Sequence, residues 1–140
     1  MVKRIIPIIG NQKNLRIGKY EIKDNFLNFW FNIIERNISF IEQERYTEIE
    51  NFFNKNFNAH VGKMFEKFIL NLIKNNLIKE ISNFNKMGNQ FGKMAVKTVY
   101  EIDIVALNDH SKEILFVECK WKNMVKADKV ISKLIEKTKH

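Results

Sequence analysis

Between residues 100 and 121 the sequence reads YEIDIVALNDHSKEILFVECKW, two apolar stretches around a polar turn that also carry Glu101, Asp103, Glu118 and Lys120. Carboxylates and an ammonium grouped in this way can hold a divalent cation and steer a phosphate. The turn is Asn108-Asp109-His110-Ser111, residue types that tolerate tight backbone reversal. A hairpin centred between His110 and Ser111 sets Leu107 opposite Ile114, Val105 opposite Phe116, Asp103 opposite Glu118 and Glu101 opposite Lys120. Side chains alternate faces with period two, so these eight share one face. Ile102, Ile104, Ala106, Leu115, Val117, Cys119 and Trp121 form the other, which has no charge. The pattern predicts a hairpin covered on both sides, with a polar site at its open end.

Directly opposed residues have Cβ atoms about 4.5–5.5 Å apart, and like charges there repel. Asp103 against Glu118 therefore calls for a cation or a raised pKa. Hard carboxylate oxygens suit Mg²⁺, which takes one or two carboxylates plus water and phosphate; Mn²⁺ can replace it. Lys120 is expected to point into the same site, and Glu101 to pair with Lys120 across the strands.

These residues need elements to position them. In VGKMFEKFILNLIKNNL, Val61, Phe65, Phe68, Ile69, Leu72 and Ile73 recur on one helical face, while Lys63, Lys67, Asn71 and Lys74 cluster opposite. Glu66 falls within the apolar arc, where a carboxylate is costly unless paired or coordinated. Upstream, VKRIIPIIG and LRIGKYEI read as short extended pieces. A helix with Asp24 as N-cap follows, carrying Phe26, Leu27, Trp30, Phe31, Ile33 and Ile34 as a stripe expected to pack in the core. Ser39-x-x-Glu42 and Thr47-x-x-Glu50 have the capping-box form that announces helix starts. Downstream, Gly88 and Gly92 interrupt a strand or loop leading into the hairpin, and Val130, Ile131, Leu134 and Ile135 give a last helix its stripe. The order α, β, β, β, α suggests an α/β sandwich with a mixed sheet.

Length and composition bound the rest. The 140 residues, 45% of them hydrophobic, suffice for one domain with a buried core, or one domain with a small extension. No apolar run approaches the ~20 residues that span a bilayer, and no signal-peptide pattern is read. Cys119 is the sole cysteine, which excludes an internal disulfide framework and points to a reducing, cytoplasmic setting. The net charge is +8, and residues 51–100 hold eight lysines, at 55, 63, 67, 74, 79, 86, 93 and 97, against only Glu66 and Glu80. A basic surface beside a carboxylate site favours a polyanion, of which nucleic acid is the commonest.

Glu on a first helix, Asp on one strand and Glu-x-Lys on the next resembles the PD-(D/E)XK nuclease superfamily, with Glu66, Asp103 and Glu118-Cys119-Lys120 as the matching residues. The wording is most similar to the C-terminal region of archaeal-type ATPases. It shares the blocks YEIKDNFLNFWF at 20–31, FNAHVGKMFE at 57–66, IDIVAL at 102–107 and ECKW at 118–121. Where that family has an aromatic pair after its K-x-G block, this chain has Gln90-Phe91. No G-x-x-x-x-G-K-[ST] phosphate loop occurs, so the chain reads as an isolated C-terminal module.

The resemblance implies a restriction-endonuclease-like α/β sandwich, a central mixed sheet flanked by helices. Residues 59–140 would form the nuclease-like domain, and residues 1–58 an N-terminal extension of short strands and helices. It implies that Asp103 and Glu118, with the Cys119 backbone carbonyl, hold Mg²⁺. Glu66 would bind a second ion or orient water, and Lys120 would position water or stabilise charge on the phosphate. Glu101 would orient Lys120. The implied partners are duplex or branched DNA and an ATPase domain or protein, with a homodimer allowed. The competing expectations are a catalytically silent nuclease fold that binds DNA or docks a partner, and an interaction tail whose hydrophobic first 58 residues pack on an ATPase.

Overall fold

The computed structural model describes residues 1–10, 18–81, 83–93 and 99–139. Lys97, counted in the basic stretch, and residues 15–17 of the second extended piece lie outside the described residues.

The chain begins with a two-stranded antiparallel ribbon, β1 (Val2–Ile5) and β2 (Lys19–Ile22), in the register Val2 to Ile22 and Ile5 to Lys19. Asp24 caps helix α1 (Asn25–Phe29), its Oδ1 accepting from Leu27 N at 2.8 Å, as its residue type predicts. The helix then widens into a π-turn at Trp30–Ile34 and tightens to 3₁₀ at Glu35–Asn37. Asparagine side chains accompany this irregularity: Asn32 Nδ2 donates to Asn28 O at 2.7 Å and buried Asn37 Nδ2 to Ile33 O at 2.6 Å. Of the apolar stripe expected to pack in the core here, only Ile33 is buried; Phe26, Trp30 and Phe31 face solvent.

Helix α2 (Ile38–Glu42) leads into α3 (Tyr46–Lys74), 29 residues long. Ser39 and Thr47, expected as caps, lie inside the first turns instead; Asn37 and Arg45 precede the helices and give no side-chain cap. At the start of α3, Arg45 Nε donates to Glu48 Oε1 at 2.9 Å. The helix runs unbroken through residues 58 and 59, so both proposed segments share it. It ends in a Schellman arrangement: Asn76 takes a left-handed φ of 53°, with Asn76 N donating to Ile73 O and Leu77 N to Leu72 O at 3.0 Å each.

The main sheet has the order β3-β4-β5, formed by Lys86–Lys93, Val99–Asn108 and Glu113–Val117. It is antiparallel throughout the described residues, not mixed as expected, because each strand returns directly on its neighbour. The hairpin register follows the sequence reading, with Val105 opposite Phe116 and Leu107 opposite Ile114. Asn108 shapes the turn, its Oδ1 accepting from His110 N at 2.9 Å and Ser111 N at 3.1 Å, and Lys112 takes φ 59°. As the central strand, β4 is covered on both faces, so neighbouring Ile104 and Val105 are both fully buried. Strand β5 is an edge, and Ile114 remains exposed.

The β3–β4 register shifts between Gly88 and Gln90, and just beyond this bulge Gln90 and Phe91 are both buried. The buried Gln90 amide is satisfied at both ends: Oε1 accepts from Ile9 N at 2.9 Å and Nε2 donates to the Tyr100 hydroxyl at 3.2 Å. The N-terminal arm is thereby tied to β3, assisted by Ile8 N donating to Asn89 O at 3.2 Å. Helices α3 and α4 (Ala127–Thr138) both contact β4. In α3, Ile73 is buried as the periodicity predicts, but Phe68 is exposed; in α4, Ile131 and Ile135 of the apolar stripe are exposed. Among the described residues no helix is long and apolar enough to cross a membrane.

Candidate functional site

Helix α3 delivers Glu66 to the sheet, and β4 delivers Asp103. Glu66 is half-buried, and its pKa is pushed up to about 7 by burial first, then by the negative charges of Asp103 and Glu101. Lys120 and Lys63 offset only part of this, and Glu66 makes no ion pair among the described residues. Asp103 is likewise raised above the usual carboxylate range by burial, with Glu118 adding to the rise. The Cys119 backbone N–H, donating to Asp103 Oδ2 at 2.7 Å, pulls the other way. That bond forms because β5 ends at Val117: beyond the last ladder pair, the chain turns its amide onto the carboxylate that would have faced Glu118. Asn89 Nδ2 holds the Asp103 backbone carbonyl at 2.7 Å.

Glu118 faces a different environment. Its side chain is 10% exposed and is bonded by Lys120 Nζ at 2.6 Å and by Lys137 Nζ at 2.9 and 2.8 Å. Burial pushes this carboxyl up, but the two lysines outweigh that and hold it below its ordinary value. Lys120 gains correspondingly: burial lowers its pKa, while Glu118, Asp103 and Glu66 raise it to a net increase. The Cys119 thiol is driven up to about 11 by burial and by Asp103, Glu66 and Glu118, so it stays protonated and unreactive at neutral pH.

The structure therefore brings Glu66, Asp103, Glu118 and Lys120 into one electrostatic cluster. Glu101 adds its charge at Glu66 but departs from its expected pairing. It does not pair with Lys120, because the strand carrying Lys120 has already left the ladder; it faces Phe91 on β3 and pairs with Lys19 of β2 at 2.8 Å. Lys137 was missed by the sequence reading, since nothing local marks a lysine 19 residues from Glu118 as its partner. Lys67, placed opposite the apolar arc by the periodicity, is largely buried against Glu21 at 2.6 Å, so the N-terminal ribbon neutralises part of the basic stretch. Glu66 opens into a cleft of about 250 Å³ between that ribbon, α3 and the sheet, lined also by Lys63, Asn89 and Glu101.

A divalent cation can be tested against these donors. Among the described residues, no group of three or more His, Cys, Asp or Glu side chains gathers for a metal ion. Glu118 is held by lysines, which leaves Glu66 and Asp103, two partly buried carboxylates that repel each other and make no ion pair among the described residues. Two carboxylates with water completing the shell is a donor set that Mg²⁺ accepts, and a cation there would relieve the repulsion. The pair fits the ion; Glu118 joins only if its lysines release it.

Over residues 30–131 the chain matches the DUF234 family, described as archaea bacterial proteins of unknown function. An uncharacterized protein of Methanocaldococcus jannaschii is 35% identical over 142 residues, an alignment taking in 99% of this chain and 30% of that protein. The chain thus spans less than a third of that relative's length. No solved structure matches it. With a family match across most of its length and a relative aligned along nearly all of it, the chain belongs to the DUF234 family of archaea bacterial proteins.

Proposed function

We propose that the chain is a Mg²⁺-dependent DNA endonuclease-like module, hydrolysing phosphodiester bonds and normally joined to an archaeal-type ATPase, in a reducing, cytoplasmic setting. In this reading α3, β3, β4, β5 and α4 are the reduced core of a restriction-endonuclease-like sandwich. One observation carries it: Glu66 and Asp103, from different elements, are both partly buried with raised pKa values, and the charge of Asp103 contributes to the rise at Glu66. Such carboxylate juxtaposition is costly and is characteristic of sites that bind a cation.

Glu66 and Asp103 would hold Mg²⁺ (or Mn²⁺), with Glu118 and the Cys119 carbonyl available beside them. When bound, the ion supplies Lewis-acid polarisation of the phosphodiester. The chain's own residues do the rest. As a carboxylate beside the ion, Glu66 would orient the attacking water rather than take its proton. Lys120 stays protonated and contributes charge to the phosphate rather than proton transfer. Coverage of 30% of the Methanocaldococcus jannaschii relative supports a module within a longer protein. The test is nicking of duplex and branched DNA by the purified chain with mM Mg²⁺, beside Asp103→Asn. Cleavage that survives Asp103→Asn or EDTA sinks the reading.

A second reading, a silent nuclease fold that docks an ATPase or another partner, draws on the exposed aromatics of the N-terminal segment. Phe26 and Trp30 are 67% and 40% exposed, with ring centroids 6.2 Å apart, and Phe31 is exposed nearby in sequence. A duplex left intact, with Phe26→Ser and Trp30→Ser weakening capture of the ATPase region, would favour it.

A further inference from the structure

A second concentration of like charge lies outside the 51–100 stretch. A groove of about 460 Å³ beside Glu118 is lined by Lys120, Lys122, Lys126, Lys129, Lys133 and Lys137, and Glu118 is the single acid among its lining residues. Lys129, Lys133 and Lys137 recur at intervals of four on α4, so they share one helical face, and Lys126 precedes the helix as its N-cap residue. Like charges at this spacing repel and weaken a helix. Lys122, Lys126, Lys129 and Lys133 make no ion pair among the described residues, so nothing there offsets the cost.

The spacing points to the ligand. From Lys126 to Lys137 the helix rises about 16 Å, roughly the axial length of five nucleotides of one strand at ~3.4 Å each. A single phosphate or nucleotide would meet only two of these ammonium groups; a polymer of phosphates meets them all. Met124, 91% exposed, and Val125 add apolar surface at the lip for sugar and base edges. An anionic bilayer also attracts basic amphipathic helices, but a concave groove admits a strand and not a flat sheet of headgroups.

We infer that the α4 groove is the track for a nucleic-acid phosphate backbone, leading it past Lys120 to the carboxylate cluster. The ligand class rests on the phosphodiester reading above. The groove itself is a binding surface separate from the 51–100 lysines.

Binding is measured by fluorescence anisotropy with labelled duplex and single-stranded DNA in EDTA, across a salt series. The wild-type chain is compared with Lys129→Glu/Lys133→Glu and with the α3 pair Lys55→Glu/Lys74→Glu. Thermal melts check folding, and Lys129→Gln/Lys133→Gln replaces the groove variant if the charge reversal unfolds it. For the groove pair, the slope of log affinity against log salt should become shallower by about two, with affinity down about tenfold or more. The α3 pair should change both far less. An unchanged slope in the groove variant, or equal losses from the two pairs, overturns the track. Loss of binding to phosphatidylserine vesicles with DNA binding intact overturns it in favour of a membrane. Because EDTA removes metal, groove-dependent binding by a chain that never nicks DNA upholds the track while the endonuclease reading falls; nicking with an unchanged slope does the reverse.

Discussion

Glu118 accepts from Lys137 through both carboxylate oxygens, at 2.9 and 2.8 Å, while Lys120 bonds one of them at 2.6 Å. Lys137 lies in the last turn of α4, so this ion pair, more than the exposed Ile131 and Ile135, docks the helix end at the site. Its energy is moderate because Glu118 is only 10% exposed but Lys137 is 25% exposed. Lys137→Met should therefore cost about 1.5–2 kcal/mol in urea unfolding, the lower part of the range for charged hydrogen bonds. The same change frees Glu118 for a cation, so the thermal shift produced by Mg²⁺ should reach half-saturation at several-fold lower concentration. A variant with wild-type stability and wild-type Mg²⁺ response would remove Lys137 from the site.

Glu66 sets a pH dependence. Its ordinary pKa is 4.5 and its folded value about 7. Between these, the folded chain holds a proton that the unfolded chain has released, so this group's contribution to stability falls as pH rises and levels off above about 7. Glu66→Gln removes that contribution. Relative to wild type, the variant should gain about 1–2 kcal/mol between pH 5 and pH 8, after discounting for partial exposure. Taking the difference cancels His60, whose lowered pKa acts in the opposite direction over part of this window. Urea melts at the two pH values measure it; a constant difference would mean that Glu66 is not raised.

Divalent cations should raise the melting temperature by several degrees at concentrations well above Kd, since a ligand bound only by the folded chain adds RT ln(1 + [L]/Kd). Asp103→Asn should abolish the response without unfolding the chain, because the amide oxygen can still accept from Cys119 N. Glu66 must lose its proton to bind metal, so the response should be larger at pH 8 than at pH 6. Differential scanning fluorimetry with Mg²⁺ and Mn²⁺ checks both parts.

Lys120→Ala should eliminate Mg²⁺-dependent nicking while lowering DNA affinity by only a few-fold, since one phosphate contact among many is lost. Lys120→Arg should restore little, because a planar guanidinium holds its donors in a fixed fork and cannot reproduce the 2.6 Å contact to Glu118 in the same space. Gel assays of supercoiled plasmid read the outcome, and nicking by Lys120→Ala at the wild-type rate would assign the chemistry elsewhere.

What could be seen in the sequence was local. The hairpin register was fixed by alternation and by Asn108, and the Asp24 cap by its residue type. The convergence of Glu66 with Asp103 was foreshadowed by a carboxylate in an apolar arc. Partnerships between distant elements left no such trace. Lys19 reaching Glu101, Glu21 reaching Lys67, and Lys137 reaching Glu118 each join segments whose approach depends on tertiary packing. The aromatic stripe at 26–34 misled for a related reason: periodicity shows that a face is apolar, but not what covers it.

The unbroken length of α3 has a mechanical meaning. Tyr46 and Glu66 stand on one rod, about 30 Å apart along its axis, and a straight helix neither stretches nor bends readily along its hydrogen-bond ladder. A partner gripping the first turns of α3 would therefore turn or slide Glu66 against Asp103 as a lever moves its far end. The carboxylate spacing on which the proposed chemistry depends would then be adjustable from a surface well away from it.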